Sequence, residues 1–188
     1  MYFYSSRVFE CFKGKNKIVP SDRGEYEIGD TYNWLVDNGG NVEVAEYTGK
    51  WLDPGKFDDW IEANQYLLDA KLTTCISGEV VEGSRMENRI CLGAGSKLIK
   101  SKIRGPVIIG NNVQIRNSYI GPFTSISDNV VIENSHIENS VIMEGVKIIN
   151  VEAPIDSSLI GVDTEVVRSD GPTKTHQLFV GNKCQIKL

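Results

Sequence analysis

Two stretches of this 188-residue chain put charged side chains close enough together for chemistry: Arg23-Gly24-Glu25-Tyr26-Glu27 and the turn Asp53-Pro54-Gly55. Taken alone, an arginine near two glutamates is ordinarily a solvated ion pair. An aspartate before Pro-Gly is ordinarily a turn and helix-entry residue. A single carboxylate also makes a poor Mg²⁺ site unless phosphates and a second acidic residue complete the octahedron. Two histidines could act as general bases, His136 and, beside Lys174, His176. His136 falls at a repeat position where an outward or hydrogen-bonded imidazole is the ordinary outcome, and sequence places no orienting partner for either ring. Cys11, Cys75, Cys91 and Cys184 show no paired spacing and read as small buried thiols.

Most of the chain is a repeat that must hold these groups in place. From Ile76 to Ile148 an aliphatic residue returns every five or six positions, through Val81, Met86, Leu92, Leu98, Ile103, Ile109, Ile115, Ile120, Ile126, Ile132, Ile137 and Ile142. That period fits neither a 3.6-residue helix nor a lone strand of period two, so it describes a coil repeated along an axis. In the fullest units, such as Ile109-Gly110-Asn111-Asn112-Val113-Gln114, the leading aliphatic and the residue four places on should both point inward. Asn, Asp and Gly pairs suit the corners because they tolerate positive φ. Shortened units that carry Asn-Ser at 117–118, 134–135 and 139–140 turn the corner with one residue fewer. Ile99, Ile108, Phe123 and Val131 are left to point outward, where apolar residues can mark interfaces.

Ahead of the repeat, residues 1–70 read as strand (2–4), short helix from Ser6, helix from Ile28 to the Asn38-Gly39-Gly40 stop, strand (42–47), and a third helix. That helix should turn Phe57, Trp60, Ile61, Leu67 and Leu68 to a core and place Asp58 and Asp59 at its positive end. Two domains are therefore expected, 1–70 and 71–188. A loop leaves the repeat near 168–179, and the unit Val180–Ile186 returns to cap it.

The repeat resembles the hexapeptide-repeat, left-handed parallel β-helix family. Its hand comes from that resemblance, because the usual crossover rule would give the opposite one. At about 4.8 Å per coil, roughly six or seven coils would stand some 30 Å tall. The fold class expected is mainly β, a left-handed parallel β-helix preceded by a partial α/β segment. Tyr2-Phe3-Tyr4, the stretch Arg23 to Ile28 with Asp30, and Gly49 to Gly55 with Glu62-Ala63-Asn64 resemble the later half of the sugar-1-phosphate nucleotidyltransferases. The nearest pattern is the long-form glucose-1-phosphate thymidylyltransferase family, which carries a β-helix after its catalytic domain. Pro54 and Phe57 depart from that pattern.

The resemblance implies attack of a sugar phosphate on the α-phosphate of a nucleoside triphosphate, with Mg²⁺ offsetting charge on the transferring group. It assigns Asp53 to the metal, Arg23 to ligand phosphates, and Glu25 and Glu27 to the pocket edge. The family's Gly-rich loop, first metal carboxylate and sugar-phosphate segment would lie ahead of Met1. A chain of this kind is expected to be inactive alone, to need a separate N-terminal half, and to self-associate, as a trimer by analogy with other left-handed β-helices. The rival readings are a hexapeptide acyltransferase using His136 or His176 as base, and a non-catalytic assembly module. Twenty Lys and Arg against 25 Asp and Glu, net −5, argue against nucleic acid as a partner. With no signal-like start and no long apolar run, a cytoplasmic protein without membrane contact is expected.

Overall fold

The computed structural model describes residues 2–168, and the chain divides into two compact units that meet in sequence at Lys50 and Trp51. The first unit is held by a few polar and aromatic contacts. A 3₁₀ helix, Ser6–Phe12, precedes helix α1, Ile28–Asp37. The α1 stop falls where expected: Gly39 takes φ +73°, and the Gly40 N–H donates to the Leu35 carbonyl at 2.7 Å. Tyr4 stacks on Tyr32 and shares a 2.9 Å hydrogen bond with Thr31, while the Trp34 indole donates to the Asn16 carbonyl.

Neither strand expected in this unit forms. Residues 2–4 and 42–47 are irregular, and Val44 is 95% exposed. Alternation makes a strand only when a second strand accepts its ladder, and among the described residues of this unit there is none.

The second unit opens with helix α2, Phe57–Lys71, whose Lys56 N–H donates to the Asp59 carboxylate at 3.0 Å. The expected apolar face is not what packs: Phe57, Trp60 and Leu67 are exposed, and Leu68 is the buried member. Instead α2 seats on the solenoid through polar side chains on the Leu68 side. Asn64 donates to the Phe123 carbonyl at 2.7 Å and accepts from the Ser125 hydroxyl, and Gln65 donates to Asn139 at 2.6 Å. A helix facing the polar rim of a β-helix needs amides more than aliphatics, because the rim offers carbonyls and side-chain oxygens.

From Cys75 the chain winds through three parallel sheets that form the walls of a triangular β-helix. The first wall stacks β1 (Cys75–Ile76), β4 (Ile90–Leu92), β7 (Val107–Ile109), β10 (Thr124–Ile126), β13 (Val141–Ile142) and β16 (Leu159–Ile160). The second stacks β2 (Glu79–Val80), β5 (Lys97–Ile99), β8 (Gln114–Arg116), β11 (Val131–Glu133), β14 (Lys147–Ile149) and β17 (Glu165–Val167). The third stacks β3 (Arg85–Glu87), β6 (Lys102–Arg104), β9 (Tyr119–Ile120), β12 (His136–Glu138) and β15 (Ile155–Asp156). Five complete coils and two sides of a sixth lie in the described residues, and the expected cap at 180–186 lies outside them.

The inward set is the one the period assigns. Leu92, Leu98, Ile103, Ile109, Ile115, Ile120, Ile126, Ile132, Ile137, Ile142 and Ile148 are all buried, with Val113, Thr124 and Val130 filling the secondary positions. Two members depart from it: Ile76 is 45% exposed because β1 is an edge strand of its wall, and Val81 yields the inward position to Val80, which the register pairs with the buried Leu98. Of the four residues expected outward, Ile108 is exposed and Ile99, Phe123 and Val131 are half-buried.

Corners are built from the residues that tolerate them. Asn112 and Asn129 take φ +55° and +61°, and the shortened corners put Asn117, Asn134 and Asn139 between +45° and +48°. In those short corners the serine does the closing. Ser118 Oγ donates to the Arg116 carbonyl at 2.7 Å and accepts the Ser135 N–H at 3.2 Å, and Ser135 repeats the pattern toward Glu133 and Val151. One buried hydroxyl thus satisfies a carbonyl in its own coil and an N–H in the next. At Gly110 a Cβ would stand 2.3 Å from the Asp128 carboxylate, which accepts the Asn111 N–H at 2.7 Å.

The thiol reading needs correcting for one pair. Cys11 is a free, buried thiol, but Cys75 and Cys91 form a disulfide. A parallel register sets Cys75 directly opposite Cys91, with Cα atoms 4.4 Å apart, a proximity invisible in a spacing of 16 residues.

Candidate functional site

The first candidate cluster is a turn. The Gly24 N–H donates to the Ser21 carbonyl and the Ser21 N–H to the Glu25 carbonyl, both at 2.8 Å, with Gly24 at φ +77°. This reversal brings Arg23 back over Glu27, Nη2 to Oε1 at 2.7 Å. The same Glu27 oxygen accepts the Ser21 hydroxyl at 2.8 Å. Hydrogen bonds from Arg23 and then Ser21 hold the Glu27 carboxyl below the usual range, and Glu27 keeps the Arg23 guanidinium protonated to still higher pH.

The structure therefore brings Arg23 and Glu27 together and adds Ser21, which the sequence reading missed. Glu25 contributes its backbone carbonyl, and its side chain is exposed. The missed residue had a signal, since Ser before a Gly-centred reversal is a common turn partner. An exposed, ready-charged guanidinium held by one carboxylate oxygen can meet an anion from solvent. It is also the geometry of an ordinary surface ion pair.

Asp53 lies in the other compact unit, in the turn where the Gly55 N–H donates to the Asp53 carbonyl at 2.7 Å. Its side chain is exposed. Among the described residues no group of three or more His, Cys, Asp or Glu side chains could hold a metal ion. A lone exposed carboxylate does not by itself make an octahedral Mg²⁺ site.

His136 stands on the third wall of the β-helix, its ring edge-on to Tyr119 with centroids 4.6 Å apart. Its Nε2 is enclosed without a hydrogen-bond partner and lies 3.9 Å from the Glu138 carboxylate, beyond hydrogen-bond reach. His176 and Lys174 lie outside the described residues.

Residues 1–70 match the family described as Nucleotidyl transferase. Over its whole length the chain is 32% identical to the glucose-1-phosphate thymidylyltransferase of Streptomyces griseus, covering 52% of that protein. It is 34% identical to the protein of the same name in Streptomyces antibioticus, covering 51% of it. Over 74% of the chain it is 32% identical to a bifunctional sugar-1-phosphate nucleotidylyltransferase/acetyltransferase of Sulfurisphaera tokodaii, covering 35% of that protein. The chain spans about half the length of the two thymidylyltransferases. The family match ends beside the C-terminus of α2, so this helix belongs to the matched stretch by sequence and to the β-helix unit by packing.

Proposed function

We propose, for a chain homologous to the glucose-1-phosphate thymidylyltransferases and bearing nucleotidyl transferase sequence over residues 1–70, that it serves an enzyme joining a nucleoside triphosphate to a sugar 1-phosphate, with release of diphosphate. Its own contribution is the β-helix and the later part of the transferase domain. The observation that carries this is similarity running through the transferase stretch and the β-helix together, across half the length of the relatives. Exposed aromatic side chains in the first unit support it, since Tyr2, Phe3, Phe9, Tyr26 and Tyr47 offer apolar surface to a further portion of such a domain.

In this reading Arg23 contacts a ligand phosphate, Glu25 and Glu27 border the pocket, and Asp53 gives one carboxylate to Mg²⁺. The metal supplies charge neutralisation at the transferring phosphate. What the chain itself does is orient: Ser21 and Glu27 hold Arg23 in one pose, so less side-chain entropy is lost when an anion arrives. The chain also brings self-association, with a trimer as the expected form. No described helix is long and apolar enough to cross a membrane, and a cytoplasmic setting completes the proposal.

The test is complementation. The 188-residue chain, assayed with dTTP, glucose 1-phosphate and Mg²⁺, should turn over only when a second polypeptide carrying the family's N-terminal half is supplied. Asp53→Asn should then remove the restored rate while leaving the β-helix folded by circular dichroism. Turnover by the chain alone would overturn the division of labour. The bifunctional relative favours a second reading, acyl transfer on the β-helix. Acetyl-CoA-dependent acylation of a sugar phosphate, lost in His136→Ala, would establish it.

A further inference from the structure

The first coil of the β-helix is joined to the rest differently from every other described coil. Its inward residues are only partly covered: Ile76 and Val80 are exposed and Met86 is half-buried, whereas the inward aliphatics from Leu92 to Ile148 are sealed. Its backbone bonds are ordinary, with the Ser77, Glu79 and Val81 N–H groups donating to Leu92, Ser96 and Leu98 carbonyls at 2.8–2.9 Å. Its ion pairs, Glu79 with Lys97 and Glu87 with Lys102, are solvent-exposed and therefore weak. This is the stretch where local opening should be easiest. It is also the stretch that carries a covalent bond to its neighbour, Cys75 to Cys91.

We infer that Cys75 and Cys91 form a reversible redox clip that sets whether the first coil stays docked on the β-helix. Both cysteines lie on the outer face of the first wall, opposite one another in parallel register, and neither is fully buried. The remaining described cysteine, Cys11, is buried, and burial pushes its thiol up, so it does not compete as a thiolate. In the closing step the two thiols give up two electrons and two protons to a low-molecular-weight disulfide. One S–S bond forms in the protein, the reagent's S–S bond breaks, and two small thiols leave. A dithiol reverses it. Closure ties off the whole first coil, β2 and β3 included, across a sequence separation of 16, which restricts the open states available to that coil.

The consequence reaches α2. Arg89, beside β4, donates to the Asp69 and Leu72 carbonyls at the end of that helix, and only two residues separate Leu72 from Cys75. An undocked first coil removes one restraint from the α2 exit and leaves it to Arg89 and the buried Leu68, so the clip regulates how firmly the helix end is anchored. This inference stands on the β-helix geometry and does not depend on the transferase reading.

The experiment uses the full chain in a Cys184→Ser background, equilibrated with oxidised or reduced glutathione, with the 75–91 cross-link quantified by peptide mass spectrometry. In the oxidised sample, amides of residues 76–87 should exchange about 100-fold more slowly than in the reduced sample, the ratio expected from closing a loop of this length. Amides of residues 107–149 should not change. The double variant Cys75→Ser/Cys91→Ser should behave as the reduced protein in both buffers. Free thiols or mixed glutathione adducts at 75 and 91 under oxidising conditions would overturn the inference. So would equal exchange in the two redox states, or a redox response that survives in the double variant.

Discussion

The first 50 residues and the coils from Leu92 to Ile148 use similar amounts of apolar side chain to different ends. In the coils each aliphatic residue meets its counterpart in the neighbouring coil, and Ile126 is 3% exposed. In the first unit Phe3 is 87% exposed and Val44 95%, and among its described residues the buried ones are Cys11 and Thr31. The difference teaches what a repeat does for a short chain. A coil finds its partner surface one turn away, so burial follows from period alone. An irregular segment buries its side chains only against surfaces that its own pattern does not supply.

The widest gap between the regions should appear in a pair of aspartate substitutions. Ile126→Asp buries an unpaired carboxylate and should destabilise the β-helix by more than about 4 kcal/mol, enough to lose the fold at 37 °C. Val44→Asp, on an exposed position, should stay within about 0.5 kcal/mol. Thermal melts that moved equally would break the comparison.

A smaller effect isolates the corner hydroxyls. Ser118→Ala leaves the Ser135 N–H without its buried acceptor and should cost about 1–3 kcal/mol. Ser127→Ala, on an exposed position, should be nearly silent in the same urea titration. Next in size is the helix seat. Asn64→Ala removes both its bond to the Phe123 carbonyl and its bond to Ser125, and should cost about 1 kcal/mol, read as faster amide exchange in α2 with the coils unchanged.

The smallest effect is electrostatic and belongs to the first unit. The folded pKa of Glu27 is depressed, so its pairing with Arg23 and Ser21 contributes stability above the ordinary carboxylate range. That contribution declines as pH falls through the unfolded and then the folded pKa. NMR titration of the Glu27 carboxyl should give a midpoint below the ordinary glutamate range only while Ser21 and Arg23 are intact; Ser21→Ala should move it back upward.

Much of the β-helix is legible in the sequence because it depends on short-range pattern. The aliphatic at every fifth or sixth position, the Asn that accepts positive φ and the serine after it each carry their structural role in their own chemistry. The candidate site is legible only as residue types. Arg23 beside Glu25 and Glu27 suggested a pair, and the Gly24 reversal chose Glu27, brought in Ser21 and left Glu25 outside. Asp53 keeps its place in the expected turn.

What the sequence by itself determined is which residues fill the prism and which turn its corners, since those depend on a neighbour at a fixed distance along the chain. Only the tertiary structure decided that residues 42–47 form no strand, that α2 docks through Asn64 and Gln65, and that Cys75 faces Cys91. A strand needs a second strand, a docking face needs a wall, and a disulfide needs two Cα atoms within a few ångströms. Each of these depends on which surfaces the finished coils bring together, and no local period encodes that.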